Sequence, residues 1–219
     1  MAVSVIGRVA PELERFLNRH ILGIAPHPDQ WPPPHDCTSL PVPPGYDVSD
    51  ETGPVWVLAH KHMHAWHHRR TTLGAQGYRF AHHSEFDCGW RLADVAARFV
   101  RERVNDDFDF VTLMPPPSVH RSQYELPWIA QRLAERLAIP FVPNLFAAVA
   151  PYAEHPDIAR YLSVPGASLF VFSRETDTQL NGASVLLVDW ARHTGHTLRS
   201  LAQQLKRKGA TVVRFTWFD

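Results

Sequence analysis

A cluster of small polar and cationic residues directly follows one of the most apolar runs of the chain. Val185-Leu186-Leu187-Val188 leads into Asp189, and Trp190, Ala191, Arg192, His193, Thr194, Gly195, His196 and Thr197 come before helical spacing resumes. A carboxylate at the end of a buried strand can accept hydrogen bonds from sugar hydroxyls. Gly195 lets backbone approach a ligand closely. Thr194 and Thr197 bring hydroxyls to a helix start, where free N–H groups favour an anion. Arg192, His193 and His196 add donors around that anion. These residue types suit a phosphorylated ribose. The competing reading is a capped helix start that binds nothing.

The elements that must hold this loop are regular in the second half of the chain. Phe108 to Met114 is an apolar strand, Ile129, Ala130, Leu133, Ala134 and Leu137 stripe a helix, and Phe141-Val142 is a short second strand. Leu169 to Phe172 is a further strand candidate, followed by the turn pair Asn181-Gly182. Val185 to Val188 starts a second unit, with a helix marked by Leu198, Leu201, Ala202 and Leu205, a stop at Gly209, and a return strand from Val212 to Trp217. Continuous apolar strands mean that both sheet faces are covered, so the expected fold class is α/β with a parallel sheet. Ligands of such sheets sit beyond the carboxyl ends of strands, which is where Asp189 to Thr197 falls.

The first half is less regular. Leu13, Phe16, Leu17 and Ile21 recur at helical spacing after Pro11, and eight prolines from Pro26 to Pro44 imply an extended wrap or linker. Val55 to Ala59 reads as a short strand, and Leu92, Val95, Ala96, Phe99 and Val100 form the apolar face of a helix.

The strand, Asp189, and Thr194-Gly195-His196-Thr197 resemble the signature of the phosphoribosyltransferase superfamily, an apolar strand, two adjacent acids and Thr-Gly-x-Thr. Trp190 stands where the second acid is usual, and His193 where threonine is common. The resemblance implies that residues 192–197 cradle the 5′-phosphate of phosphoribosyl pyrophosphate (PRPP), and that Asp189 contacts the ribose and is the one candidate catalytic group. More of the chain is similar to the ComF-type competence proteins: Met114-Pro115-Pro116-Pro117, Arg121-Ser122-Gln123-Tyr124-Glu125, the helix ending Leu137-Ala138-Ile139-Pro140, and Arg160 to Ala167. This likeness covers about residues 108 to 219. It implies a type I-like sheet at 108–219, with residues 1–107 supplying an N-terminal arm, the proline-rich wrap and a hood. It also implies Mg2+ carried with PRPP if the protein is active, and a role near DNA uptake or processing. The pyrophosphate side would fall to Ser118 and Arg121, since Pro115 to Pro117 offer no N–H donors. An indole in place of an acid weakens support for a developing sugar cation, and one lost interaction of about 3 kcal/mol slows turnover about a hundredfold. The expectation is therefore binding of PRPP, ribose 5-phosphate or a nucleotide with weak or lost transfer; an active Mg2+-dependent transferase is the alternative. Trp190 either packs beneath the loop or stacks on a base.

Seven of the fourteen histidines lie between His60 and His83. With Asp87 and Cys88 nearby they could hold Zn2+. With Lys61, Arg69, Arg70, Arg79, Trp66 and Tyr78 they could instead form a local nucleic-acid patch in an adaptor. Cys37 and Cys88 are too few for a four-cysteine knuckle. Over the 219 residues, 22 basic side chains balance 22 acidic ones, which removes any bulk attraction to nucleic acid or anionic membrane. Charges in the opening residues argue against a signal peptide, and no run approaches the roughly 20 apolar residues of a membrane span. A cytoplasmic protein with no membrane partner is expected.

Overall fold

Strands that are apolar on both faces need a layer on each side, and this chain supplies both. In the computed structural model, residues 42–59, 62–64, 67–70, 72–83, 85–104, 106–114, 126–148, 170–172, 180–192 and 195–219 are described. A six-stranded sheet combines β1 (Tyr46–Asp47), β2 (Val55–Ala59), β5 (Phe110–Leu113), β6 (Phe141–Val142), β9 (Ser184–Ala191) and β10 (Thr211–Phe218). Its order is β1-β2-β10-β9-β5-β6, and every pairing is parallel except the edge strand β1. The α/β class and the parallel core expected from the sequence are therefore present.

One face packs on α1 (Thr72–His83), α2 (Phe86–Phe99) and α3 (Leu126–Leu137). Val111, Leu113, Leu186, Val188, Val213, Phe215 and Trp217 project into that layer. The alternate residues Val185, Leu187 and Val212 project the other way, onto Leu198, Leu201, Ala202 and Leu205 of α4 (His196–Arg207). Both crossovers are parallel strand-helix-strand units: β5-α3-β6 and β9-α4-β10. From β5 the chain moves outward through α3 on one face, and from β9 it moves the opposite way through α4 on the other. The order therefore reverses between β5 and β9. At such a switch point the two following loops diverge and open a crevice.

The sheet draws on both sides of position 107. β2 lies parallel to β10, with Phe215 opposite Trp56, and α2 belongs to the same core as α3. The strand after Leu169 is β8 (Phe170–Phe172), which pairs antiparallel with β7 (Phe146–Ala148) in a separate two-stranded sheet. The histidine tract forms the hairpin β3 (His62–His64) and β4 (His67–Arg70) before α1. The proposed N-terminal helix and the proline-rich wrap up to residue 41 lie outside the described residues.

Two helices end in the same six-residue hydrogen-bond pattern. Ala210 N–H donates to Leu205 and Gly209 N–H to Lys206, with Gly209 at φ +86°. Ile139 N–H donates to Ala134 and Ala138 N–H to Glu135, but here a residue with a Cβ sits at φ +59°.

Candidate functional site

β9 places the Asp189 carboxyl one residue past its pairing with β5. The β5 register ends at Leu113 opposite Val188, and Met114 N–H donates to the Val188 carbonyl at 3.1 Å. Asp189 comes next, on the α4 face, opposite Thr216 of β10. Its carboxylate is 7% exposed and accepts the Trp190 N–H at 2.7 Å. Burial pushes its pKa up to about 7, against the pull of the Trp190 and Ala191 amides. Thr216 is fully buried, and its hydroxyl has no hydrogen-bond partner among the described residues.

The turn that follows is built around Gly195. Its φ of +72° lies in the left-handed region, and its carbonyl accepts the Arg199 N–H at 2.9 Å in the first turn of α4. Among the described residues no side chain caps that helix start, and no acid lies in its first turn, so its N-terminal amides are left without a capping side chain there. Because α4 leaves the carboxyl end of β9, this positive end stands at the switch point. His196 is exposed and Thr197 half-buried there.

Arg192 N–H continues the strand pairing by donating to Phe218 at 2.8 Å. Its side chain folds beside the turn: a Cβ on Gly195 would lie 3.1 Å from Arg192 Nε. That Nε is buried and unpartnered among the described residues. The Arg192 charge also reaches Tyr46, whose hydroxyl is hydrogen-bonded to Asp219; burial and Asp219 raise the Tyr46 pKa more than Arg192 lowers it. Tyr46, Thr216 and Asp219 were absent from the sequence-based candidate set. No spacing signal marks them, because β1 and the end of β10 meet this turn only through the sheet.

Asp189, Arg192, Gly195, His196 and Thr197 are thus gathered at one end of the sheet. Trp190 is turned to the opposite face. Its ring packs among Phe80, Trp217 and Phe218 with centroids 6.0, 6.3 and 5.2 Å away. His193, Thr194, Ser118 and Arg121 lie outside the described residues.

No protein-family model matches the sequence, and no curated protein matches it. Among solved structures the chain is similar to an adenine phosphoribosyltransferase from Leishmania tarentolae. That likeness has a TM-score of 0.44 and 15% identity, and covers 74% of this chain and 76% of that one. The chain is also similar to a hypoxanthine phosphoribosyltransferase from Staphylococcus aureus, with a TM-score of 0.35 and 11% identity over 58% and 62% of the two chains. Both are likenesses of backbone course, and neither bears on chemistry.

Mg2+ or Zn2+ would need a set of oxygen, nitrogen or sulfur ligands held together. Asp189 is buried, and its carboxylate is engaged by the Trp190 amide. Among the described residues no group of three or more His, Cys, Asp or Glu could hold a metal. Burial pushes the Cys88 thiol up to about 11. The imidazoles of the histidine hairpin lie outside the described side chains. No helix among the described residues is long and apolar enough to cross a membrane.

Proposed function

We propose that this chain binds a ribose 5-phosphate group, free or as part of PRPP or a nucleotide, at the turn between β9 and α4, with little or no phosphoribosyl transfer. One arrangement carries this reading: an uncapped helix start, with glycine in the left-handed region, stands at the sheet's switch point beside a buried carboxyl. The phosphate would lie against the α4 amides and the Thr197 hydroxyl, with Arg192 beside it. Asp189, when ionised, would accept from a ribose hydroxyl.

Weak transfer follows from the same geometry. A developing sugar cation needs fixed negative charge nearby. Here the second acid is replaced by an indole that points to the other face, and the remaining carboxyl favours its neutral form up to about pH 7. The ComF-type branch, and with it a link to DNA processing, enters this proposal through the sequence resemblance alone.

Calorimetric titration of PRPP, ribose 5-phosphate and nucleoside monophosphates into the wild type and Thr197→Ala tests the reading. Saturable heat for phosphorylated ribose, weakened about tenfold by the substitution, is expected. Equal heats for both proteins, or none, would contradict it. Pyrophosphate release is expected to be negligible in the wild type.

A further inference from the structure

Between His60 and His83 the sequence holds seven histidines and neither an acid nor a cysteine, so imidazole is the strong metal-ligand type of that stretch. The fold turns part of it into the antiparallel hairpin of β3 and β4. Backbone register then sorts the histidines, which their density alone does not.

Two pairings define the hairpin: His64 lies opposite His67, and His62 opposite Arg70. Between these pairs β3 has Met63 alone, whereas β4 has His68 and Arg69, so β4 carries the extra residue of a bulge. Successive residues of a strand alternate between faces, and paired residues share one. His62, His64 and His67 therefore fall on one face with Arg70, while Met63, His68 and Arg69 fall on the other. Directly opposed residues hold their Cβ atoms about 5 Å apart and diagonal ones about 7–8 Å. Imidazole rings bridge spans of that size around one ion, each nitrogen about 2 Å from the metal. The arginines are not gathered in this way. Arg69 and Arg70 are on opposite faces, so the register favours an ion held by imidazoles over a polyanion held by a basic stripe.

We propose that the β3–β4 hairpin is a binding site for one divalent transition-metal ion, with Zn2+ as the reference case, built on the juxtaposition of His62, His64 and His67. Three neutral imidazoles leave a fourth position to water or an anion. Mg2+, which takes oxygen ligands, does not suit this set. The proposal does not rest on the reading given for the β9-α4 turn.

The full chain, stripped with a chelator and dialysed, is titrated with ZnCl2 at neutral pH while heat and the histidine ring resonances are followed. The expected result is one Zn2+ per chain with a Kd of about 1 µM or below. The rings of His62, His64 and His67 should shift more than that of His68. His64→Ala and His67→Ala should each weaken binding about tenfold or more, and His68→Ala about twofold at most. MgCl2 should give no saturable heat. Absence of saturable Zn2+ binding overturns the proposal, as does binding that survives His64→Ala combined with His67→Ala. A loss on His68→Ala as large as that on His64→Ala also overturns it, because the ion would then be held by an unregistered tract. The wild-type resonances decide the matter even if a variant fails to fold.

Discussion

The two faces of the central sheet are built on different terms. The face under α1, α2 and α3 is apolar and aromatic, with Phe99, Phe215 and Trp217 at its centre. The face under α4 holds Thr112, Asp189, Arg214 and Thr216, all buried. Buried polar groups cost stability unless each finds a partner. The way each of the four is treated separates scaffold from site. Thr112 donates to Val142 at 2.8 Å and is settled. Arg214 grips Asp50 at 2.6 and 3.1 Å and the Gly53 carbonyl at 2.6 Å, pinning the β1–β2 turn onto β10. At the carboxyl end Asp189 accepts backbone amides, whereas the Thr216 hydroxyl, like Arg214 Nε, is buried with no hydrogen-bond partner among the described residues.

Breaking the settled half should have the largest effect. Asp50→Ala leaves the Arg214 charge buried without its partner and should cost about 3–5 kcal/mol in urea unfolding. A loss under about 1 kcal/mol would mean that the pair contributes nothing. The Arg214 hydrogen bonds hold the Asp50 carboxyl well below the usual carboxylate range. Its stabilisation is therefore present above the unfolded value, about pH 4, and is lost as pH falls further.

Asp189 works with the opposite sign. A carboxyl whose folded pKa is raised from 3.8 to about 7 binds its proton more tightly in the native state. Its contribution to stability falls as pH rises between about 4 and 7, by up to about 4 kcal/mol in all. Asp189→Asn should remove that decline, so that the variant is the more stable protein at about pH 8 while binding phosphorylated ribose less well. Unfolding midpoints measured across that range check it, and parallel curves for the two proteins would show that Asp189 is not buried as described.

The unit β9-α4-β10 was legible because each part carries a local signal: the apolar run from Val185, helical spacing from Leu198, and glycine at 209. The position of β2 beside β10 was not. That contact joins residues far apart in the chain, and no local periodicity records it. Neither was the burial of Arg214, an arginine whose partner sits in a turn more than a hundred residues away. Asp189 and Trp190 were both singled out, yet adjacent strand residues must face opposite ways, so they could not serve one ligand from one side.

The smallest expected effect lies at the end of α3. Ala138 takes the left-handed position that Gly209 takes after α4, so Ala138→Gly should stabilise the chain by about 0.5–1 kcal/mol with no change in ligand binding. Unfolding in urea at neutral pH reads this directly, and a destabilised variant would contradict it.

The central claim is that the start of α4 receives a sugar phosphate, and backbone amide resonances measured during titration with ribose 5-phosphate test it most directly. The account predicts saturable shifts at Gly195, His196 and Thr197, with β2 and the α1–α3 layer unmoved. Unchanged amides at those three positions under saturating ligand, or shifts confined to another part of the chain, would contradict it.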